Sequence, residues 1–184
     1  LLIGYEFSEF RNRIYNGIEL SAGKYLQNKN YIFGSIQYGN YYNQGDYQQG
    51  RINFRIDYFT HLFKQGLNRY RFFTNASYTR GIKNEPDDIV SIAHTDGIFG
   101  LKSNELYGTS KINIHFETVA FTPYYFFGFR VAGYSYIDIG TVNSKNPALF
   151  DNQLYTGIGI GLRLRNPNLV IKTIQFKFAF FPIT

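Results

Sequence analysis

Cysteine and methionine are both absent from the 184 residues. Without cysteine there is no disulfide framework and no thiolate metal site, which excludes stapled scaffolds and zinc modules and suits an outer membrane. Also missing is any apolar stretch near the roughly 20 residues that a membrane-crossing helix needs. The mean hydropathy of -0.26 is that of a water-soluble chain. Acids are in the minority, 13 against 19 Lys and Arg, for a net charge of +6. The basic residues are spread singly along the chain rather than gathered in one run, which argues against nucleic acid as a partner. Neither an initiator methionine nor a charged-then-apolar leader stands before Leu1-Leu2-Ile3-Gly4, so the chain is expected to be a piece of a longer precursor.

What is present is alternation. Residues 51 to 58 read Arg-Ile-Asn-Phe-Arg-Ile-Asp-Tyr, so Arg51, Asn53, Arg55 and Asp57 share one face of a strand and Ile52, Phe54, Ile56 and Tyr58 the other. A strand buried on both faces would be continuously apolar, and a helix would repeat every third or fourth residue. Aromatics make up 20% of the chain, 17 Tyr and 19 Phe, far above a disordered segment. An all-β, antiparallel transmembrane β-barrel reconciles the alternation with the low hydropathy, because lipid-facing and lumen-facing residues cancel in any averaged window. Outer-membrane lipid would then be its surroundings.

Turn-forming clusters divide the chain into nine expected strands: 1–10, 14–26, 31–42, 50–63, 68–82, 110–121, 125–142, 153–165 and 169–181. Most exceed the five or six residues usual in soluble sheets and match the about 9 to 11 of a tilted membrane strand. Connections at Gln27–Asn30, Lys64–Gly66, Thr122–Pro123 and Asn166–Asn168 read as tight turns. Those at Asn43–Gln49, Lys83–Thr109 and Asn143–Asn152 read as longer and fall at the other end. Short turns are expected on the periplasmic side and long loops outside. Aromatic clusters at Tyr41-Tyr42, Tyr124–Phe127 and Phe180-Phe181 are placed for membrane-interface girdles, although strong β-formers would account for them too. Nine is an odd count for a bacterial barrel, which points to part of a larger one.

The segment 83–109 exceeds the about 12 to 15 residues beyond which loops are usually functional or disordered. It begins with the polar Asn84-Glu85-Pro86-Asp87-Asp88 and turns apolar at Gly97-Ile98-Phe99-Gly100-Leu101, so its second half is expected to fold back into the lumen. This run, followed in order by Tyr107-Gly108, Lys111-Ile-Asn-Ile-His-Phe-Glu117, Tyr136-Ile-Asp138-Ile-Gly140, Gly157-Ile-Gly-Ile-Gly161 and Phe176-Lys-Phe-Ala-Phe-Phe-Pro182, resembles the carboxy-terminal barrel of the bacterial surface antigen superfamily. That superfamily includes outer-membrane assembly factors of the BamA type and two-partner secretion transporters. The resemblance covers about residues 97 to 182. It implies a barrel of about sixteen strands of which this chain supplies the later part. It also implies a role in inserting or secreting polypeptides, with substrate polypeptides and periplasmic assembly factors as partners.

In the family a loop Arg-Gly-aromatic motif pairs its Arg with the Asp of an aromatic-x-Asp-x-Gly strand motif. Tyr136, Asp138 and Gly140 match the strand motif, while Phe99-Gly100-Leu101 stands at the place of the loop motif with Phe where Arg is expected. Lys102 is the nearest basic substitute, without the planar guanidinium fork. The resemblance thus marks Phe99, Gly100, Leu101, Lys102, Glu117, Tyr136, Asp138 and Gly140 as the residues that would hold the loop.

The lumen-facing registers also carry Arg51, Arg55, Arg69, Arg71, Lys111, Arg130, Arg163 and Arg165, which could attract anionic solutes or a passing polypeptide or simply pair across strands. His115 and Glu117 share a face and are read as a hydrogen-bonded pair rather than as acid-base or metal chemistry, for want of a third ligand or a nucleophilic serine. His61 and His94 lie elsewhere, so neither a metal, a cofactor nor a catalytic residue is assigned. Gly157, Gly159 and Gly161, spaced by two, strip one strand face of side chains, which excludes a phosphate-cradling turn and leaves room for the long loop. Two other functions fit such a barrel: the membrane anchor of a patatin-like phospholipase or phosphoesterase, and a small passive channel.

Overall fold

The computed structural model describes residues 1–7, 12–43, 45–82, 90–92, 97–98, 100–101, 107–143, 153–169 and 172–183. They form β1 (Leu2–Phe7), β2 (Asn12–Tyr25), β3 (Tyr31–Asn43), β4 (Asp46–Phe59), β5 (Phe63–Gln65), β6 (Asn68–Ile82), β7 (Val90–Ser91), β8 (Tyr107–Gly108), β9 (Ser110–Phe126), β10 (Phe129–Asn143), β11 (Tyr155–Arg165) and β12 (Thr173–Ile183), with one 3-10 turn at Gln27–Lys29. The main sheet is an antiparallel meander in the order β1-β2-β3-β4-β6-β9-β10-β11-β12, with β5 added at the end of β6. Among the described residues β1 and β12 are each paired on one side only.

Alternation decides the faces. The register Asn53↔Thr79 and Ser77↔Asn113 continues to Asn113↔Gly140, so polar side chains of β4, β6 and β9 lie in rows on one face. Ile52, Phe54 and Ile56 fall on the other face, joined by Phe116, Ile137, Ile158, Ile160 and Phe178. Of these Phe178 is 72% exposed. Arg55 of β4 and Lys177 of β12 line one cavity of about 450 Å³ although four strands separate them. At about 4.8 Å per strand a flat sheet would hold them roughly 24 Å apart. The sheet is therefore curled, with the polar face inside.

Two connections differ from the sequence reading. Asn43 pairs with Asp46, so the ladder of β3 and β4 runs through most of the expected long loop at 43–49, and Gly45 has a φ of 94°. Its polar composition resembles a loop because β4 begins in the polar run Asp46-Tyr47-Gln48-Gln49. Thr122-Pro123 is not a turn but part of β9. Residues 122 to 124 bulge opposite Val131, where the Thr122 hydroxyl donates to the Val131 carbonyl at 2.8 Å. A bulge tolerates proline, which has no N–H to give the ladder. The chain reverses instead at Phe127-Gly128, both with positive φ (46° and 78°), a conformation that only glycine adopts without strain. The expected strand 50–63 ends at Phe59, and Phe63–Gln65 form the separate β5.

Two apolar clusters lie on the inner side. Ile92, Ile98 and Leu101, from the long connection between β6 and β9, pack with Val142, Tyr155 and Phe181. Val119, Ala132, Tyr134 and Tyr136 pack with Phe73 and Phe121.

Candidate functional site: a polar sheet face with a folded-in segment

β9, β10 and β11 carry the site because their registers place Lys111, Asn113, His115 and Glu117 beside Tyr136, Asp138 and Gly140, and these beside the three glycines. Gly157, Gly159 and Gly161 sit directly opposite Asp138, Tyr136 and Tyr134. A Cβ on Gly159 would overlap the Tyr136 ring, and one on Gly161 the Tyr134 ring. A Cβ on Gly157 would press on Ile98 and Phe181. The space reserved by the glycines is thus shared. Two places take tyrosine rings from the neighbouring strand, and one takes the folded-in segment expected there.

That segment is bound to the sheet at several points. Lys111 Nζ donates to the Ser91 carbonyl at 3.1 Å, and Asn113 Nδ2 to the Gly97 carbonyl at 3.4 Å. β7 pairs with β8, and the backbone N–H of Thr109 donates to the Asn143 carbonyl at 2.7 Å. The segment also closes on itself, Ile98 N–H to the Ile92 carbonyl at 2.9 Å. Ile98 is 0% exposed and touches the Cβ position of Gly140. Gly97 is required because a Cβ would collide with the Ile92 backbone. Burying Ile92, Ile98 and Leu101 contributes about 1.5 to 3 kcal/mol each.

Asp138 is 2% exposed and its Oδ1 lies 2.5 Å from His115 Nδ1. Its other oxygen, Oδ2, is buried with no hydrogen bond among the described residues, as are Tyr136 Oη and Asn113 Oδ1. Glu117 receives a fork of two hydrogen bonds from Arg163, at 2.8 and 2.5 Å. The Arg163 guanidinium lies 4.2 Å above the Tyr134 ring, and Lys177 Nζ 3.8 Å above the Tyr136 ring. Rings inserted at the glycines therefore form a floor under the two cations, a favourable placement over the π-face.

The expected His115–Glu117 pair does not form. His115 has Asp138 directly across the ladder and pairs with it, whereas Glu117 has only the Phe73 and Tyr136 rings directly across and reaches Arg163 two strands away. Glu117 makes no hydrogen bond to the described loop residues, and the Tyr136 ring lies over Gly159. Gly100, with a φ of 86°, approaches Phe181, and Leu101 is buried beside it. Phe99, Lys102 and His94 lie outside the described residues. Composition and motifs did not single out Ile92, Asn113 and Tyr134. For Asn113 and Tyr134 the inward register was the signal available, and Ile92, beyond the end of β7, had none.

The basic residues divide by position. Arg55 is forked to Asp57 at 2.7 and 3.0 Å, with Asn75 also on that carboxylate. Arg51 lies further along β4, toward the β3–β4 hairpin. Arg69, Arg71, Arg130 and Arg165 cluster at the opposite end of the polar face, around two cavities beside the short turns. His61 bonds to Asn30. No group of three or more His, Cys, Asp or Glu among the described residues is placed to hold a metal ion. What the central arrangement does chemically is clamp a segment by hydrogen bonds from Lys111 and Asn113 and by apolar packing on Val142, Tyr155 and Phe181. Comparison with family models, with curated proteins and with solved structures returns no match to this chain.

Proposed function

We propose that this chain is a wall of an outer-membrane β-barrel, a portion of a barrel of about sixteen strands, that inserts or translocates polypeptides, with the segment between β6 and β9 as a plug on its inner face. The observation that carries the reading is the segment Val90–Ile92, Gly97, Ile98 and Leu101, buried on the polar side of a curled sheet whose other side exposes Phe54, Ile56, Phe116, Ile160 and Phe178. A contiguous apolar face of this extent is otherwise a docking or membrane surface. A plug held by a few side-chain bonds and three apolar residues can be displaced by a substrate strand, whereas a covalent or fully hydrogen-bonded plug could not. Strand pairing at a free sheet edge gives an incoming polypeptide its binding energy. The reading assigns no catalytic residue, and the order of motifs from Gly97 to Pro182 supports it alongside the geometry.

Deleting residues 97 to 102 from the full-length protein tests it. The expected result is a less stable barrel and impaired assembly or secretion of substrate proteins. Unchanged stability and unchanged assembly would sink the proposal, and a steady anion-selective pore in the intact protein would favour a passive channel instead. The membrane part is tested separately by Ile160→Arg, which is expected to cost about 2 to 4 kcal/mol in lipid vesicles.

A further inference from the structure

The short-turn end of the polar face carries a feature that plug and membrane face do not use. Arg69 and Arg71 of β6, Arg130 of β10, and Arg163 and Arg165 of β11 surround two neighbouring cavities of about 760 and 500 Å³. Phe121, Tyr125 and Arg130 line both, so the two are continuous around the Arg130 side chain. Glu117 neutralises Arg163 alone. Arg130 donates to the Tyr125 hydroxyl at 2.9 Å, and Arg71 lies 4.9 Å over the Phe59 ring with its Nε buried and unbonded among the described residues. Arg69 and Arg165 form no ion pair among the described residues. Four guanidiniums without a carboxylate partner among the described residues thus line two adjoining cavities, Arg69 and Arg71 one, Arg165 the other and Arg130 both, with Phe121 and Tyr125 common to the two.

Like charges held together on the inside of a curled sheet raise the local positive potential and repel one another unless an anion joins them. A guanidinium presents a planar fork that matches phosphate oxygens in pairs, and several forks from different strands suit a group with oxygens on more than one side. A single carboxylate would occupy one fork and leave the others uncompensated. We propose that this end of the polar face is a binding site for a phosphate ester or diphosphate, contacted by Arg69, Arg71, Arg130 and Arg165. The phosphate comes either from a soluble compound or from a lipid headgroup at the rim of the sheet. The site does not depend on the polypeptide-handling role.

The test is calorimetric titration of the full chain in neutral-detergent micelles with two probes, inorganic pyrophosphate and phosphatidylglycerol in mixed micelles. Arg69→Gln, Arg130→Gln and Arg165→Gln change exposed side chains and are expected to keep the strand content seen by circular dichroism. Each should weaken the bound probe by about tenfold, the loss of one charge-assisted contact, and the triple variant by more than about a hundredfold. Arg51→Gln, at the other end of the face, should leave affinity unchanged. Tighter binding of pyrophosphate marks a soluble ligand, and tighter binding of the lipid marks a headgroup. Unchanged affinity in the triple variant, an equal loss in Arg51→Gln, or binding of a polyglutamate peptide but of neither probe would overturn the site.

Discussion

β2–β3 and β10–β11 use the same device with different consequences. In both, a tyrosine ring lies over a glycine of the neighbouring strand: Tyr15 over Gly39 and Tyr31 over Gly23 in the first, Tyr136 over Gly159 and Tyr134 over Gly161 in the second. In β2–β3 an added Cβ would meet mainly the far ends of those rings, which are partly exposed and can swing away. In β10–β11 it would also meet the Phe178 or Phe176 carbonyl of β12, and the rings are buried at 3% and 5% exposure beneath Lys177 and Arg163. The difference teaches that a ring-over-glycine contact is rigid only where something else closes the way out. That closure is supplied where the folded-in segment and the buried His115–Asp138 and Arg163–Glu117 pairs also lie, so the later strands form the firm part of the molecule and β2–β3 the more compliant part.

The largest break in this comparison is expected from Gly159→Val. Expelling Tyr136 and crowding a backbone carbonyl should lower unfolding stability by about 3 kcal/mol, against about 1 kcal/mol for Gly39→Val, where Tyr15 rotates aside. Denaturant titrations of both variants in the same micelle decide it, and equal costs would abolish the distinction. Next comes charge. Glu117→Gln removes the charge and one of the two acceptor oxygens of a forked, mostly buried pair and should cost about 2 kcal/mol. Asp57→Asn disturbs the pair with the more exposed Arg55 and should cost about 0.5 kcal/mol or less. A double-mutant cycle on Glu117 and Arg163 checks that the loss belongs to the pair.

Ile98→Ala sharpens the comparison without global effect. It should raise hydrogen exchange at the Ile98 and Leu101 amides about thirtyfold, corresponding to about 2 kcal/mol of local opening, while exchange in β2–β3 stays unchanged. Exchange at those two amides equal to that of the parent would remove Ile98 as an anchor. The smallest effect is expected for Gly133→Ala, next to Tyr134 but on the opposite face, where a Cβ meets nothing within 4 Å. A change beyond about 0.5 kcal/mol would show that the tightness belongs to the whole strand rather than to its inner face.

Much of this was legible beforehand. The nine strands of the main meander follow from turn clusters, and the two faces of β4 and the room left by Gly157 from period-two spacing, all of which are local; β5, β7 and β8 were not expected. The connection at Thr122-Pro123 was misread because proline is strand-compatible only at a bulge, and the bulge depends on Val131 across the ladder. The partner of His115 could not be read from its neighbour Glu117, since cross-strand distance, not sequence distance, selects the contact.

Alternation alone determined an all-β chain with one wet and one apolar face, because side chains of an extended strand point to opposite sides whatever surrounds them. It also set the glycines in one row. Which rings and which loop residue entered that row was decided only by the register between strands. The basic residues show the same division. They are scattered singly along the chain, and only the pairing of β6, β9, β10 and β11 brings Arg69 and Arg71 beside Arg130, and Arg130 beside Arg165, around adjoining cavities. Charges from distant strands sum at one place only after folding shortens the space between them.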